Sequence, residues 1–143
     1  MTDNTGKTWM SIGETDDPNA VIETYTAGAS ITKGDPVYLS ADDTASPATA
    51  AQDCIGVAAK TVASGDPCPV ITHGNVKVKV GGATTRGKAV MGADSSKRLL
   101  QLTDQAVNEG GTGTYTIYYN RKLGTALESA TSADDLIFIK VEK

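Results

Sequence analysis

The sequence has 143 residues, enough for one domain with a modest core, and its 17 acidic and 13 basic residues give a net charge of −4. The basic residues are scattered, whereas a phosphate-binding surface needs clustered lysine and arginine side chains. We therefore do not expect the protein to bind nucleic acid. No apolar run approaches the roughly 18 residues that span a bilayer, and residues 1–7 lack the apolar segment of a secretory signal. We therefore expect a protein made in a cytoplasm, without a membrane partner.

Residues 1–19 are polar and rich in turn-forming residues, which predicts an extended N-terminal arm in front of a β-barrel-like domain over residues 20–143. Trp9, Met10 and Ile12 are unusual in such an arm. They fit an anchor that docks on a neighbouring subunit or another partner, or equally a segment folded back on its own domain. The sequence leaves both interpretations open.

From residue 20 onward, short apolar segments alternate with turns, which is typical of β-strands. Strands are predicted over residues 21–25, 36–40, 54–63 and 67–72, with a loop of small residues over 41–53. His73, the only histidine, precedes Gly74-Asn75 and is interpreted as a turn residue. We favour free thiols over a disulfide for Cys54 and Cys68, since the protein is made in a reducing compartment.

The segment from Val76 to Val80 has the clearest alternation in the chain, with valines on one face and Lys77 and Lys79 on the other. We expect both lysines to lie on a solvated outer face, where they also protect a sheet edge from aggregation. An electrostatic contact is the functional alternative.

In the second part of the chain, strands are predicted over residues 88–91, 97–103, 114–119 and 136–141. Residues 99–107 also fit one or two helical turns, and residues 108–113 form a Gly-rich loop. Strand-length segments spaced by about 8–12 residues predict an all-β barrel or sandwich.

One phrase of the sequence occurs twice. Residues 55–66 return in looser form as residues 123–134, and a matching phrase precedes each copy, at residues 31–38 and 84–91. This duplication predicts a single small closed β-structure built from two related half-units. Neither copy carries an obvious catalytic group, which favours a binding or architectural role.

Residues with possible chemistry give no convincing site. His73 lacks a nucleophile motif, and Gly111-Thr112-Gly113 precedes a strand instead of a helix N-terminus. The pairs Asp16-Asp17, Asp42-Asp43 and Asp134-Asp135 do not follow a calcium-loop spacing and fit turns better. Tyr115, Tyr118 and Tyr119 fit core or interface packing better than a sugar-stacking platform. We expect no enzyme, no metal site and no cofactor.

Several of these phrases resemble the small capsid cement or decoration proteins of tailed bacteriophages, most closely the DUF2190-like group. They are Ala27-Gly28-Ala29-Ser30-Ile31-Thr32-Lys33-Gly34-Asp35-Pro36-Val37-Tyr38-Leu39, Ile55-Gly56-Val57-Ala58 and Ala63-Ser64-Gly65-Asp66, followed by Val70 and Gly74. The resemblance covers roughly residues 20–141.

The resemblance implies a β-barrel or β-tulip-like domain that forms a homotrimer on the outer surface of a mature virion head. There it would bind the major capsid protein and stabilise the lattice against internal DNA pressure. The N-terminal arm would order on binding by adding a strand to the capsid and burying Trp9. The alternative is a carbohydrate- or receptor-binding β-module on a phage fibre or cell surface, which needs clustered exposed aromatic side chains.

Overall fold

The computed structural model describes residues 10–103 and 119–143, which contain nine β-strands, one 3-10 turn and no α-helix. None of these elements is a helix long and apolar enough to cross a membrane. The all-β fold is as predicted. The elements are β1 (Val21–Ala27), β2 (Pro36–Ala41), β3 (Thr44–Pro47), β4 (Cys54–Ala58), β5 (Pro67–Lys79), β6 (Ala89–Met91), β7 (Leu100–Gln101), the 3-10 turn (Tyr119–Arg121), β8 (Lys122–Ala126) and β9 (Leu136–Glu142).

The strands form two small closed barrels that share β5. The sheet runs in the order β1-β3-β2-β4-β5-β9-β8-β6-β7, and β1 also pairs with β5, which closes the first barrel. A parallel bridge between Val80 and Leu99 joins the end of β5 to the start of β7 and closes the second barrel. The first half of β5 therefore belongs to one barrel and its second half to the other.

The duplication predicted from the sequence is visible in the backbone hydrogen bonds. Each of several bonds in the first barrel has an equivalent in the second, made by the matching residues of the other phrase. These equivalent pairs are Gly34–Ala58 with Gly87–Ala126, Ile31–Val62 with Thr84–Ala130, Gly65–Ala27 with Asp134–Val80, and Ala59–Pro69 with Leu127–Phe138.

The equivalence also corrects the alignment of the two phrases at their ends. Gly65 and Asp134 donate equivalent hydrogen bonds, and both have a positive φ, 89° and 70°. Asp66 therefore corresponds to Asp135, whereas the sequence phrases paired it with Asp134. One extra residue in the second copy, between Ala130 and Asp134, accounts for the shift.

The two barrel interiors are built from equivalent positions that differ in side-chain size. The first interior contains Ala27, Ile31, Val37, Ala45, Ala58, Cys68 and Val70. Their equivalents in the second half are Val80, Thr84, Val90, Leu99, Ala126, Ile137 and Ile139, all buried. The larger side chains at four of these positions give the second barrel the larger apolar core, since burial scales with apolar area.

Two predictions about β5 are wrong. Gly74-Asn75 is not a turn, because β5 runs through it from Pro67 to Lys79; Gly74, with φ of 122°, lies where the strand passes between barrels. Lys77 is also not on a solvated face, since none of its surface is exposed. Its ammonium lies 5.7 Å from the ring centroid of Phe138, and the N-terminal segment bonds to its backbone.

Smaller differences arise where short segments carry a weak pattern. The predicted loop over residues 41–53 contains β3, whose side chains are small. The predicted strand over residues 97–103 is reduced to Leu100–Gln101. The predicted loop over residues 108–113 and the segment 114–118 lie outside the described residues, and Tyr119 begins a 3-10 turn.

Candidate interaction surfaces

The residues with possible chemistry do not come together in the described part of the chain. Within residues 10–103 and 119–143, no three His, Cys, Asp or Glu side chains form a group that could hold a metal ion. His73 is exposed on β5 and not in a turn. Cys54 and Cys68 are both buried free thiols. Burial raises the pKa of Cys54 to about 12, which keeps its thiol protonated and poorly nucleophilic.

The acidic pairs serve as turns. The Asp17 carboxylate accepts a hydrogen bond from the Asn19 N–H, and Asp43 has a φ of 52° in the turn between β2 and β3. Asp135 is 1% exposed and accepts the backbone N–H groups of Thr131 and Ser132 at 3.1 and 3.2 Å. These carboxylates fix local backbone conformation, as the turn interpretation predicted.

Asp94, Arg98 and Asp134 form the densest ionic cluster among the described residues. The Arg98 guanidinium bonds to Asp94 at 2.9 Å and to Asp134 at 3.1 Å. Burial alone would raise the pKa of Asp94. Hydrogen bonds from the backbone N–H groups of Arg98 and Ser96, and from the guanidinium, outweigh it and lower that pKa. The cluster ties the loop before β7 to the turn before β9.

The N-terminal segment is docked on the domain at Gly13 and Glu14. The Gly13 N–H donates to the Lys77 carbonyl at 2.7 Å, and the Lys77 N–H donates to the Glu14 carbonyl at 3.0 Å. Glu14 also pairs with Lys33 at 3.4 Å. Residues 12 and 13 form a turn in which the Glu14 N–H donates to the Ser11 carbonyl at 3.2 Å, and this turn docks at the outer edge of the second half of β5.

The three predicted contact residues differ in their placement. Trp9 lies outside the described residues. Met10 is 4% exposed, and Ile12 is half-buried against Gly34, where a side chain in place of the glycine hydrogen would collide with it. Met10 and Ile12 therefore lie against their own domain in the single chain.

Tyr115 and Tyr118, which were expected in core or interface packing, lie outside the described residues, as does the side chain of Tyr119. Elsewhere, Tyr25 and Tyr38 are half-buried on separate strands, and Phe138 is buried. These three side chains do not form an exposed aromatic cluster.

Two open grooves lie on the surface of the first half. One, of 490 Å³, runs between Ser30–Thr32 and Lys60–Ala63. The other, of 480 Å³, is bordered by Leu39 and by Arg121, which pairs with Asp53 at 3.3 Å. Both are wide surface depressions instead of the enclosed apolar clefts that hold small molecules, so they are better suited to contact with another macromolecule.

The start of β1 is the surface that sequence reasoning missed. Val21 and Ile22 are 46% and 52% exposed, and Glu23 and Thr24 are exposed as well. Four successive exposed residues in a strand mean that neither face of this segment is covered. Its alternation of apolar and polar residues is weak, and the consecutive Val21-Ile22 at the strand start is the only sequence signal for it.

Comparison with known proteins places this fold among virion components. A family model described as "Phage cement protein" matches residues 17–142. Among solved structures, the N base of the head fibre gp8.5 of bacteriophage phi29 aligns with 86% of this chain and 94% of its own, with a TM-score of 0.54 and 18% identity. At that identity the likeness concerns the fold alone. No curated protein matches the sequence significantly.

Proposed function

The chain belongs to the phage cement protein family, and from this membership we propose that it binds the outer surface of a phage head and stabilises the capsid lattice. As a member of this family it is a structural protein of a phage head and a component of the virion. The family match over residues 17–142 is the observation that carries the proposal. The role needs no catalytic group or cofactor.

The proposal includes a homotrimer that bridges subunits of the major capsid protein. The small interior side chains of the first barrel support it, because a domain with a modest core gains stability when association removes further apolar surface from water. A trimer has a mass of about 44 kDa, three times the chain mass of 14.7 kDa, which light scattering measures directly.

The N-terminal arm, residues 1–19, is proposed to make a second contact through Trp9, Met10 and Ile12. Its attachment at Gly13 and Glu14 supports this role, since it fixes where the arm leaves the barrels. Met10 is buried in the single chain, so its contact with the shell requires that the arm rearrange on the head. If deletion of residues 2–9 leaves head binding unchanged, Trp9 is not an anchor.

The alternative, a carbohydrate- or receptor-binding module, has less support. Such modules stack sugar rings on exposed aromatic side chains, whereas Tyr25, Tyr38 and Phe138 lie apart and are partly or wholly buried. Binding of the isolated protein to a glycan array, without binding to heads, would favour this alternative.

The proposed function is tested with heads assembled without this chain. Purified protein is added, unbound protein is removed by sedimentation, and the heads are heated while DNA release is followed by dye fluorescence. We expect saturable binding and a higher temperature of DNA release. Heads that retain no protein, or that release DNA at an unchanged temperature, contradict the proposal.

A further inference from the structure

At the outer edge of β1, the backbone N–H and C=O of Thr24 have no hydrogen-bond partner among the described residues. Thr24 lies opposite Pro69 on β5, and the Pro69 carbonyl accepts a hydrogen bond from Ala59 on the other side, at 2.9 Å. Thr24 and Pro69 therefore form a non-hydrogen-bonded pair, which directs the Thr24 N–H and C=O away from β5. In the described part of the chain β3 pairs with β1 only at Thr26 and Ala27, so the edge before Thr26 has no strand beside it.

The same edge in the second half of the molecule is occupied. The Thr24–Pro69 pair is equivalent to the Lys77–Phe138 pair, because the Pro69 and Phe138 carbonyls accept equivalent hydrogen bonds. At Lys77 the outward N–H and C=O bond to Glu14 and Gly13. The fold thus already uses the backbone groups at this edge position to hold another segment of the chain, and among the described residues the equivalent groups of Thr24 have no such partner.

The β1 edge has little protection against strand pairing. Exposed edges commonly carry lysine or proline, and β1 contains neither; a register shift between Val21 and Ile22 and the charge of Glu23 are its protective features. Val21 and Ile22 are exposed at this edge, and an exposed apolar edge of this kind is either an aggregation hazard or a docking site. In a virion component that must remain soluble until it binds, docking is the consistent interpretation.

The charges around this edge determine which partner fits. Glu23 is exposed on β1, and Asp43 lies at its far end, where its carbonyl accepts the Thr26 N–H. There is no lysine or arginine on β1, on β3 or over residues 67–73 of β5. A second copy docking by the same edge would bring like charges together, which disfavours that occupant. An extended segment with a basic side chain is favoured.

We propose that the outer edge of β1, residues 21–24, binds an extended segment of the capsid shell protein by β-strand addition. The partner backbone bonds to the Thr24 N–H and C=O, its apolar side chains cover Val21 and Ile22, and a lysine or arginine faces Glu23. This inference rests on the proposed function and identifies the surface and the mode of its head contact.

Thr24→Pro tests the inference because it removes the outward N–H without breaking a hydrogen bond of the barrel. Thr24→Val is the matched control, since it keeps the N–H and has a similar shape. Binding to heads that lack this chain is measured by sedimentation, and folding by the unfolding midpoint. We expect Thr24→Pro to weaken binding about tenfold at an unchanged midpoint, and Thr24→Val to bind like the wild type.

Hydrogen exchange of the wild-type protein provides a readout that does not depend on the variant folding. The Thr24 amide should exchange more slowly on heads than in solution. Equal binding by Thr24→Pro and an unchanged Thr24 exchange rate would overturn the inference and leave the proposed function intact. A wild-type protein that fails to bind heads overturns the proposed function itself. If Thr24→Pro instead dissociates an oligomer in light scattering, the edge is a contact between copies, which also overturns the inference.

Discussion

Gly56 on β4 and Gly124 on β8 occupy the same position in the two barrels, each directly against a carbonyl of the neighbouring strand. A Cβ on Gly56 would collide with the Ile71 carbonyl, and one on Gly124 with the Lys140 carbonyl. Because the obstacles are backbone atoms of a paired strand, no side-chain rotation can relieve the collision. The repeated glycine of the sequence phrase is therefore a packing requirement of each barrel.

Replacing either glycine should destabilise the fold. We expect Gly56→Ala and Gly124→Ala each to lower the free energy of unfolding by about 3 kcal/mol in urea titrations, since the strands must separate to admit the methyl group. Gly82→Ala is the control, because a Cβ there meets no atom within 4 Å, and it should change stability by less than about 0.5 kcal/mol. Similar values for all three variants would contradict this explanation.

The equivalent residues Asp135 and Asp66 should differ in their importance. Asp135→Ala leaves the buried N–H groups of Thr131 and Ser132 without their acceptor, which should cost about 2 kcal/mol. Asp66 is exposed, so Asp66→Ala should cost less than about 0.5 kcal/mol. Urea titration measures both. If Asp135→Ala lost no more unfolding free energy than Asp66→Ala, the Asp135 carboxylate would not be a structural acceptor.

Asp94 should contribute stability that depends on pH. Its pKa in the folded state lies below the ordinary value of 3.8, so the charged carboxylate stabilises the fold above that value. The contribution is lost as the pH falls through the lowered pKa of the folded state. We expect Asp94→Asn to lower the unfolding midpoint at neutral pH, and the difference from wild type to shrink at acidic pH. A difference that is constant across the pH range does not fit this account.

The two thiols should be unreactive in the folded protein. Burial raises the pKa of Cys54 to about 12 and also raises that of Cys68, where the nearby Asp35 adds to the effect. With a disulfide-exchange reagent at about pH 8, we expect negligible reaction of the native protein and two reacting thiols per chain in denaturant. Rapid reaction of the native protein would show that one thiol is accessible.

The sequence predicted the fold class, the duplication and the family, because each depends on local pattern. Alternating apolar residues and turn residues predicted most strands, and the phrases around Gly34 and Gly56 resembled the family that the match over residues 17–142 confirms. The first and second strands and the last one lie close to the predicted positions.

The errors concern contacts between residues far apart in sequence. The alternation of Val76 to Val80 could not reveal that residues 13 and 14 bond to the backbone of this strand, so Lys77 was expected in solvent and is buried. Gly74-Asn75 has the composition of a turn, but pairing with β9 keeps it within a strand. The open edge at Thr24 is visible only by comparison with the occupied edge at Lys77. The contact roles of Trp9, Met10 and Ile12 stay predictions.

The central claim, that this protein binds the outside of a phage head as a cement protein, is tested most directly by electron cryomicroscopy. Heads assembled without the chain are imaged before and after the purified protein is added. The account predicts additional density on the outer surface, shaped like the paired barrels and bridging neighbouring shell subunits. Reconstructions that are identical with and without the protein at saturating concentration would contradict it.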